Sequence, residues 1–387
     1  MLSWKDYRLR NLNIRLLLYT AILCYAGILF LTSATMLEGG NAVNKQMIGL
    51  VIGFAVMVVA AAFDYHLLVK LAIPIYGICL ALLVLVLLIG QNYNNARRWI
   101  LIANSFTFQP SELVKMGLVV FFAAYFSYWV KKEKLNHPLV ILSSVGLAGI
   151  CALLVYREPD LSTTLVILFS FLVIIYTSGI SYKWIFGVLL GVAPVAVFVI
   201  IRLVWQANLI LAGTPPESGT LIQNYQMNRI LSWRYPELFP GLVYQSQNSI
   251  MAIGNGGLTG KGLFNTTLES VKNGNFLVEQ DCDFIFAVIG EETGFAGSCI
   301  IILLFFLVTA ECVYTAIRAR DLEGRLICVG VGSIFAFQSF INMGVASGLL
   351  PNTGIPLPFI SAGLSSLLSS FIGIGLVLNV GLQRKRD

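Results

Sequence analysis

Charged residues are scarce in this chain, at 11% of its 387 residues, whereas hydrophobic residues make up 57%. A soluble domain is typically about 25% charged, so the composition excludes an average soluble protein and predicts an all-α polytopic membrane protein. The net charge of +6 does not indicate a nucleic-acid partner. Its cations lie in clusters beside apolar segments, as the positive-inside rule expects for cytoplasmic loops.

Recognisable targeting, cysteine and repeat motifs are missing as well. The first 15 residues are short, mixed and charged, and the apolar run after them can span a bilayer, so we expect no cleavable signal peptide. The seven cysteines show no CxxC spacing, which argues against a disulfide framework and a thiolate metal site. No internal repeat is visible, so the sequence does not indicate an inverted-repeat transporter.

Ten apolar segments are long enough to cross the membrane as helices, since a hydrocarbon layer of about 30 Å needs roughly 20 residues. An even number of spans places both termini on one side, and the Lys and Arg clusters predict that this side is cytoplasmic. We therefore expect a multi-pass protein in contact with membrane lipids. The predicted spans are residues 16–34, 47–63, 66–90, 112–129, 138–155, 163–180, 184–204, 284–310, 325–347 and 357–380.

A long polar passage, residues 205–283, separates the seventh and eighth predicted spans. Connections of this length are usually functional or disordered. Aromatic residues occur throughout this one, which is not typical of disorder. We predict a folded, large extracytoplasmic loop within a single membrane domain, 1–387, and this loop places Asp283 at the mouth of a membrane helix.

Other loops predicted on the same side hold most of the unusual polar residues. Arg97, Arg98 and Trp99 precede the fourth predicted span. Glu112 and Lys115 lie three residues apart, on one face of its first turns. Ionisable groups at that depth usually face the bundle interior or a wet cavity. The pair is compatible with a structural ion pair and equally with a substrate contact.

Two further loops carry candidate residues. Asp160, followed by hydroxyl residues, resembles a helix N-cap, a role that Arg157 cannot have. Ser361 and Ser365 lie in the run 348–366, which is rich in proline and glycine. Such a run cannot form a plain helix at membrane depth, and it is tolerated only beside protein or a water-filled cavity. We expect this run to line a cleft on the outer side of the membrane, together with the other loops predicted there.

The glycine-rich run 254–262 contains a Gly-Lys pair but is not a P-loop. Asn255 occupies the first glycine position of G-x-x-x-x-G-K-[ST], and Gly262 occupies the hydroxyl position. Backbone N–H groups in such a turn could still bind an anion, with Lys261 adding positive charge.

Taken together, these motifs resemble the SEDS proteins (shape, elongation, division and sporulation), over almost the whole chain and in the same order. The resemblance implies a bacterial cytoplasmic-membrane glycosyltransferase that polymerises lipid II, an undecaprenyl-diphosphate-linked substrate, into peptidoglycan. It also implies a partner, a class B penicillin-binding transpeptidase. Among the family's roles in elongation, division and sporulation, we prefer elongation for this chain. The matching residues are 96–100, 108–113 with Lys115, 159–161, 256–262, 283–286 with 291–292, and 348–366.

Two positions depart from the family pattern. Leu364 occupies the position of the second glycine in the common pattern Gly-Gly-Ser-Ser. Ser162 occupies the position of the glycine in the usual pattern Asp-Leu-Gly. The Asp-Phe-Ile-Phe motif is intact, and the resemblance assigns the catalytic aspartate at its head to Asp283.

The reaction needs a base for the proton of the acceptor 4-hydroxyl and cations for the pyrophosphate leaving group. Partial desolvation at a helix mouth would raise the pKa of Asp283 toward the working pH. Asp281 could tune that carboxyl, or the two could hold a divalent cation, Mg²⁺ or Mn²⁺. An N-cap for the eighth helix is the structural alternative for Asp283.

Two groups of charged residues complete the predicted site. Glu291 and Glu292 are expected in structural pairs. The candidate substrate-binding residues are Arg97, Arg98, Trp99, Glu112, Lys115, Arg157, Asp160, Arg229, Lys261, Ser361 and Ser365, of which the arginines and lysines are the candidates for pyrophosphate contacts.

Two other functions remain open from the sequence. A flippase or transporter for the same lipid-linked precursor would need polar residues through the bilayer midplane on several helices. The predicted spans contain few polar residues near the bilayer midplane. A scaffold that recruits another cell-wall enzyme would need only a docking face.

Overall fold

The computed structural model describes residues 7–36, 41–93, 96–103, 106–212, 224–265, 270–272 and 280–383. Three short strands form one antiparallel sheet in the order β1-β2-β3, with bounds β1 Gln91–Tyr93, β2 Ala96–Ala103 and β3 Phe106–Phe108. The helices are α1 Ile14–Ala34, α2 Asn41–Ala62, α3 Tyr65–Lys70, α4 Ala72–Ile89, α5 Pro110–Lys131, α6 Pro138–Arg157, α7 Leu161–Thr177, α8 Tyr182–Leu211, α9 Asn224–Arg234, α10 Pro240–Asn255, α11 Ile285–Ile317, α12 Leu322–Ala346 and α13 Leu364–Leu382.

The chain is a helical, polytopic membrane protein, as its composition predicts. Among the described residues, eight helices are long and apolar enough to cross a membrane: α1, α2, α4, α5, α6, α11, α12 and α13. The predicted count of ten includes α7, an apolar helix of 17 residues, and α8. That count stays a prediction, as do the side of each loop and the cytoplasmic termini.

Several predicted boundaries are wrong. The predicted span 66–90 is interrupted at Leu71, which separates α3 from α4. The last helix begins at Leu364 rather than at 357, because the preceding segment contains three prolines and Phe359 has a left-handed φ of 65°. We call this segment, residues 351–363, the site loop. The sheet formed by β1, β2 and β3 was predicted only as a loop.

Helices α12 and α13 form the centre of the bundle. Within their most apolar windows, 72% of α12 and 83% of α13 is buried, compared with 22% of α2. Small residues let the helices approach closely, as is usual in membranes. A Cβ at Gly330 would lie 2.7 Å from Val119, and a Cβ at Gly375 would lie 2.7 Å from the carbonyl oxygen of Met57. This core holds both ends of the segment that joins α12 to α13.

The described part of the passage 205–283 is folded and lies against α11. Helix α8 already extends into it as far as Leu211. Helices α9 and α10 follow, and α10 packs along the first turns of α11. The single-domain arrangement and the extracytoplasmic position of this passage stay predictions.

Candidate active site

Asp283 lies just before α11, at the end of the bundle where the site loop joins α13. The N-cap of α11 is Phe284, and it makes no side-chain capping bond, so the predicted N-cap role of Asp283 is wrong. The Asn342 side chain of α12 donates to the carbonyl oxygen of Asp283 at 2.9 Å and to that of Ile355 at 2.7 Å. Asp283 is half-buried, and its backbone is held by the central helix.

The site loop is tied directly to the residues that precede α11. The Ser361 hydroxyl donates to the carbonyl oxygen of Cys282 at 2.6 Å and accepts the backbone N–H of Leu357 at 2.7 Å. The backbone N–H of Ala362 donates to the carbonyl oxygen of Asp281 at 2.8 Å. Ser361 is buried and therefore positions the site loop from within.

Gly354 brings Arg229 and Asp283 to the same place. Its φ of 69° favours glycine. A Cβ there would lie 3.1 Å from Oδ2 of Asp283 and 3.8 Å from Nη1 of Arg229, so a side chain would enter the space beside both groups. Arg229 also donates from Nη1 to the carbonyl oxygen of Asn352 at 3.0 Å. The glycine thus leaves open a position that contacts a carboxyl and a guanidinium group.

The environment of Asp283 makes it a stronger base than an ordinary aspartate. Burial raises the pKa of Asp283 to about 6, and the negative charges of Asp160 and Asp281 act in the same direction. The positive charges of Arg229 and Arg98 partly offset that rise. At neutral pH the carboxyl is mostly ionised, yet it binds a proton near the working pH, as an effective general base must.

Arg98 holds the turn between α6 and α7. It donates from Nε to the carbonyl oxygen of Glu158 at 3.2 Å and from Nη2 to that of Pro159. Arg97, the preceding residue of β2, is exposed, and Trp99 is half-buried. Neighbouring strand residues point to opposite faces, so only one of the two predicted arginines reaches this turn.

Glu158 is an acid that the sequence reasoning passed over in favour of its neighbour Arg157. Arg157 is exposed, whereas Glu158 is fully buried. Within the described part of the chain neither carboxyl oxygen of Glu158 has a hydrogen-bond partner. Burial raises its pKa to about 9, so the group is neutral at pH 7. Hydropathy gives no signal that separates these two adjacent charged residues.

Asp160 performs the N-cap role that its sequence predicts. Its Oδ1 accepts the backbone N–H of Thr163 at 3.1 Å, and its Oδ2 accepts Gln109 Nε2 at 3.0 Å. The backbone N–H of Gln109 donates in turn to the Ser365 hydroxyl at 2.9 Å. Ser162, at a position that departs from the family pattern, donates to the carbonyl oxygen of Thr353 at 3.1 Å. These bonds join α5, α7 and α13 to the site loop.

Glu112 and Lys115 form a structural ion pair inside the bundle. Nζ of Lys115 lies 2.9 Å from Oε1 of Glu112, and the two side chains are 1% and 2% exposed. Lys115 also donates to Oε1 of Gln338 at 2.7 Å, and Gln338 donates to the carbonyl oxygen of Pro356 at 3.0 Å. The lysine is therefore linked to the site loop through one intermediate side chain.

The anion-binding turn predicted around Lys261 is wrong, because its backbone N–H groups are used. Those of Lys261 and Gly262 donate to the carbonyl oxygens of Glu291 and Glu292, each at 3.0 Å. A Cβ at Gly260 would collide with the Glu292 backbone. The glycines of this run thus allow its backbone to pack closely against the backbone of α11.

The side chains around this turn form pairs, as expected for Glu291 and Glu292. Lys261 Nζ lies 3.2 Å from a carboxylate oxygen of Glu291, and Lys272 Nζ lies 2.6 Å from one of Glu292. Glu291 and Glu292 follow Asp283 by about two helical turns. The structure therefore does not bring Lys261 to the position beside Gly354.

A divalent cation fits the described part of this site in company with a substrate. Among the described residues, the single group of three or more acidic, histidine or cysteine ligands within reach of one ion is His66, Asp321 and Glu323, far from Asp283. Within the ranges that the structure describes, Asp281 and Asp283 thus have no third protein ligand of these types. Mg²⁺ commonly binds through one or two carboxylates plus substrate phosphates, so these two aspartates could hold it against a diphosphate.

The fold and the site define a polytopic membrane protein with one half-buried carboxyl and two guanidinium groups at one end of its helical bundle. The family model for FtsW, RodA and SpoVE, described as "Cell cycle protein", matches residues 14–386. The chain belongs to this family, the SEDS proteins.

Relatives and solved structures agree with this assignment. The chain is 32% identical to the peptidoglycan glycosyltransferase MrdB of Escherichia coli, covering 96% of this chain and 93% of MrdB. It is 30% identical to the probable peptidoglycan glycosyltransferase FtsW of Geobacter metallireducens, covering 96% and 94%.

Among solved structures, a chain of a peptidoglycan synthase complex described as coordinating polymerization and crosslinking matches with a TM-score of 0.76 and 26% identity, over 97% of this chain and 99% of that one. The rod shape determining protein RodA of Thermus thermophilus matches with a TM-score of 0.69 and 26% identity over all of both chains.

Proposed function

We propose that this chain is a peptidoglycan glycosyltransferase that polymerises lipid II into glycan strands at the outer face of the cytoplasmic membrane. The activity printed for the MrdB and FtsW relatives supports the reaction. The observation in this chain that carries the proposal is the position of Asp283, a half-buried carboxyl of raised pKa beside the guanidinium group of Arg229.

Asp283 is the general base of the proposed reaction. The acceptor 4-oxygen forms a bond to the anomeric carbon of the donor, and the bond from that carbon to the diphosphate oxygen breaks. The Asp283 carboxylate takes the proton of the acceptor hydroxyl, and the diphosphate leaves with the bonding electrons. A diphosphate is already a good leaving group, so one base suffices here, whereas glycoside hydrolysis uses two carboxyls.

Arg229 is the first candidate for a contact with the departing diphosphate, because guanidinium groups bind phosphate oxygens in pairs. Arg98 contributes charge while its N–H groups hold the turn before α7. Lys115 and Glu112 support the site loop from inside the bundle. A divalent cation held by Asp281 and Asp283 would supply further positive charge to the diphosphate when bound.

The proposed membrane orientation follows from the reaction. Lipid-linked sugars are extended outside the cell, so the Asp283 end faces outward together with the passage 205–283, and both termini are cytoplasmic. A class B penicillin-binding transpeptidase is the proposed partner. The similarity to a chain of a peptidoglycan synthase complex supports that partnership.

The test is polymerisation of lipid II by the purified, reconstituted chain with and without Asp283→Asn. Removing a general base typically slows a reaction by about 10²- to 10⁴-fold. We expect a loss of this size in Asp283→Asn, with an unchanged elution profile and thermal midpoint.

Glu237→Gln is the matched control, because Glu237 is an exposed acid of the same passage. We expect this variant to keep its full rate. Wild-type rates in Asp283→Asn would refute the proposed base, and movement of lipid II across the bilayer without polymerisation would favour a flippase.

A further inference from the structure

A cavity of about 250 Å³ lies at the opposite end of the bundle from Asp283. It is bounded by the segment that precedes α1, the last turns of α11 and the end of α13. Helix α11 begins two residues after Asp283, bends at Gly294 and lines the cavity with its last turns. The part beyond the bend, residues 295–317, is about 35 Å long. The cavity and the candidate active site are therefore separated by at least the hydrocarbon thickness of a bilayer, about 30 Å.

The wall of this cavity carries a surplus of positive charge. Arg10, Arg15 and Arg318 line it, together with the carboxylate of Glu311. Glu311 is already engaged, since Asn13 donates to its Oε2 at 3.0 Å and Arg15 lies 3.8 Å from its Oε1. Among the described residues, no carboxylate forms an ion pair with Arg10 or Arg318.

The two remaining guanidinium groups are suited to an anion. The guanidinium carbon of Arg318 lies 4.3 Å from the centroid of the Tyr314 ring, so one face of the group is stacked and its N–H edge stays available. The C-terminal ends of α11 and α13 add partial negative charge nearby. The arginines must therefore supply the attraction for any anion, which makes them the residues to test.

We propose that this cavity binds the phosphate group of an anionic ligand, which in the membrane is the headgroup of an anionic phospholipid. Guanidinium groups match phosphate oxygens in geometry and charge. Ile14 lines the cavity and is 68% exposed, so apolar surface for an acyl chain adjoins the cationic wall. The cavity also lies at a helix end, where a headgroup of a bilayer would be.

The test compares two matched double variants of the full-length protein in detergent micelles. Arg10→Gln/Arg318→Gln removes two arginines of the cavity. Arg320→Gln/Arg325→Gln removes two exposed arginines at the same end that do not line it. Native mass spectrometry counts bound phosphatidylglycerol and, separately, bound phosphatidylcholine. Basic residues near an anionic surface each add severalfold to binding, so we expect the cavity variant to bind phosphatidylglycerol about tenfold more weakly.

The control variant should stay within about twofold of wild type, and phosphatidylcholine binding should not change in either variant. Arg318→Lys, which keeps the charge, should retain part of the preference and shows that a loss is not caused by misfolding. Wild-type protein without any preference for phosphatidylglycerol would overturn the proposal. Equal losses in the two double variants would overturn it as well, because they would indicate a diffuse surface attraction.

A second arm separates the two sources of phosphate. Inorganic phosphate and glycerol phosphate are added at millimolar concentration to protein that carries phosphatidylglycerol. Failure to displace the lipid supports a phospholipid as the ligand. Displacement that depends on Arg10 and Arg318 supports the phosphate site with a soluble phosphate as its ligand, and the phospholipid part of the proposal then falls.

Discussion

His66 and Asp283 lie at opposite ends of the bundle. The surroundings of His66 pair its charge with carboxylates, whereas the surroundings of Asp283, as far as the structure describes them, leave buried polar groups without partners. The two ring nitrogens of His66 each lie 2.8 Å from a carboxylate oxygen, one of Asp64 and one of Asp321. The hydroxyl of Tyr65 donates to Asp321 at 2.8 Å. These contacts raise the pKa of His66 to about 9 and lower the pKa values of both aspartates.

The Asp283 end instead leaves polar groups short of partners. Burial raises the pKa values of Asp283 and Glu158. In the part of the chain that the structure describes, side-chain oxygens of Asn342, Asn352 and Thr353 are buried without a hydrogen bond. Such groups cost free energy, and they are concentrated where a polar ligand could satisfy them. One end of the bundle therefore stabilises the fold, whereas the other end is suited to chemistry.

We expect the largest loss of stability on breaking the ion pair between Lys115 and Glu112, which is linked to the site loop through Gln338. Lys115→Met leaves the buried Glu112 carboxylate without its cation, and breaking a buried pair typically costs about 3–5 kcal/mol. The thermal midpoint of the purified variant should fall strongly. The double variant Glu112→Gln/Lys115→Met should recover most of the loss, and a double variant as unstable as Lys115→Met would contradict this account of the pair.

Arg229→Gln tests the charge beside Asp283. We expect polymerisation to slow by about 10-fold or more, because charge-assisted hydrogen bonds contribute about 1.5–3 kcal/mol. Removing a positive neighbour also raises the pKa of Asp283, so the acid limb of the pH–rate profile should move to higher pH. Arg234→Gln is the control, since Arg234 is an exposed residue of the same helix. Unchanged rate and unchanged pH dependence in Arg229→Gln would separate this arginine from the site.

His66→Gln tests the stabilising end and should cost about 1 kcal/mol at neutral pH, since the pair is partly exposed. The pKa of His66 rises from 6.5 to about 9 on folding, so its stabilisation is complete below 6.5 and is lost as the pH rises through 9. The thermal midpoint of wild type should therefore approach that of His66→Gln between pH 7 and pH 10. A constant difference across this range would contradict the proposed imidazolium.

The smallest effect is expected from Asp281→Asn. Removing this negative neighbour lowers the pKa of Asp283, so the acid limb of the pH–rate profile should move slightly to lower pH with little change in the limiting rate. A collapse of the rate that excess Mg²⁺ or Mn²⁺ restores would instead identify Asp281 as a metal ligand.

Sequence reasoning found the parts of the site that depend on local pattern. Hydropathy placed most helices, the N-cap pattern identified Asp160, and the resemblance pointed to Asp283 and Arg98. Arg229 was named because a pyrophosphate leaving group needs cations. Sequence reasoning failed where contacts between residues distant in the sequence decide which groups are free to bind a ligand. The N–H groups around Lys261 are taken by backbone carbonyls of α11.

The burial of Glu158 depends in the same way on where the chain returns. A turn between two helices exposes one of two adjacent charged residues and buries the other, and which one is buried follows from the packing of distant elements rather than from local pattern.

The pH–rate profile of lipid II polymerisation by the wild-type protein shows whether Asp283 acts as the base. If Asp283 is the base, the rate should rise with pH through a midpoint of about 6, the pKa that burial gives this carboxyl. A rate that stays constant from pH 5 to pH 8, or a midpoint near the ordinary aspartate value of about 3.9, would contradict it.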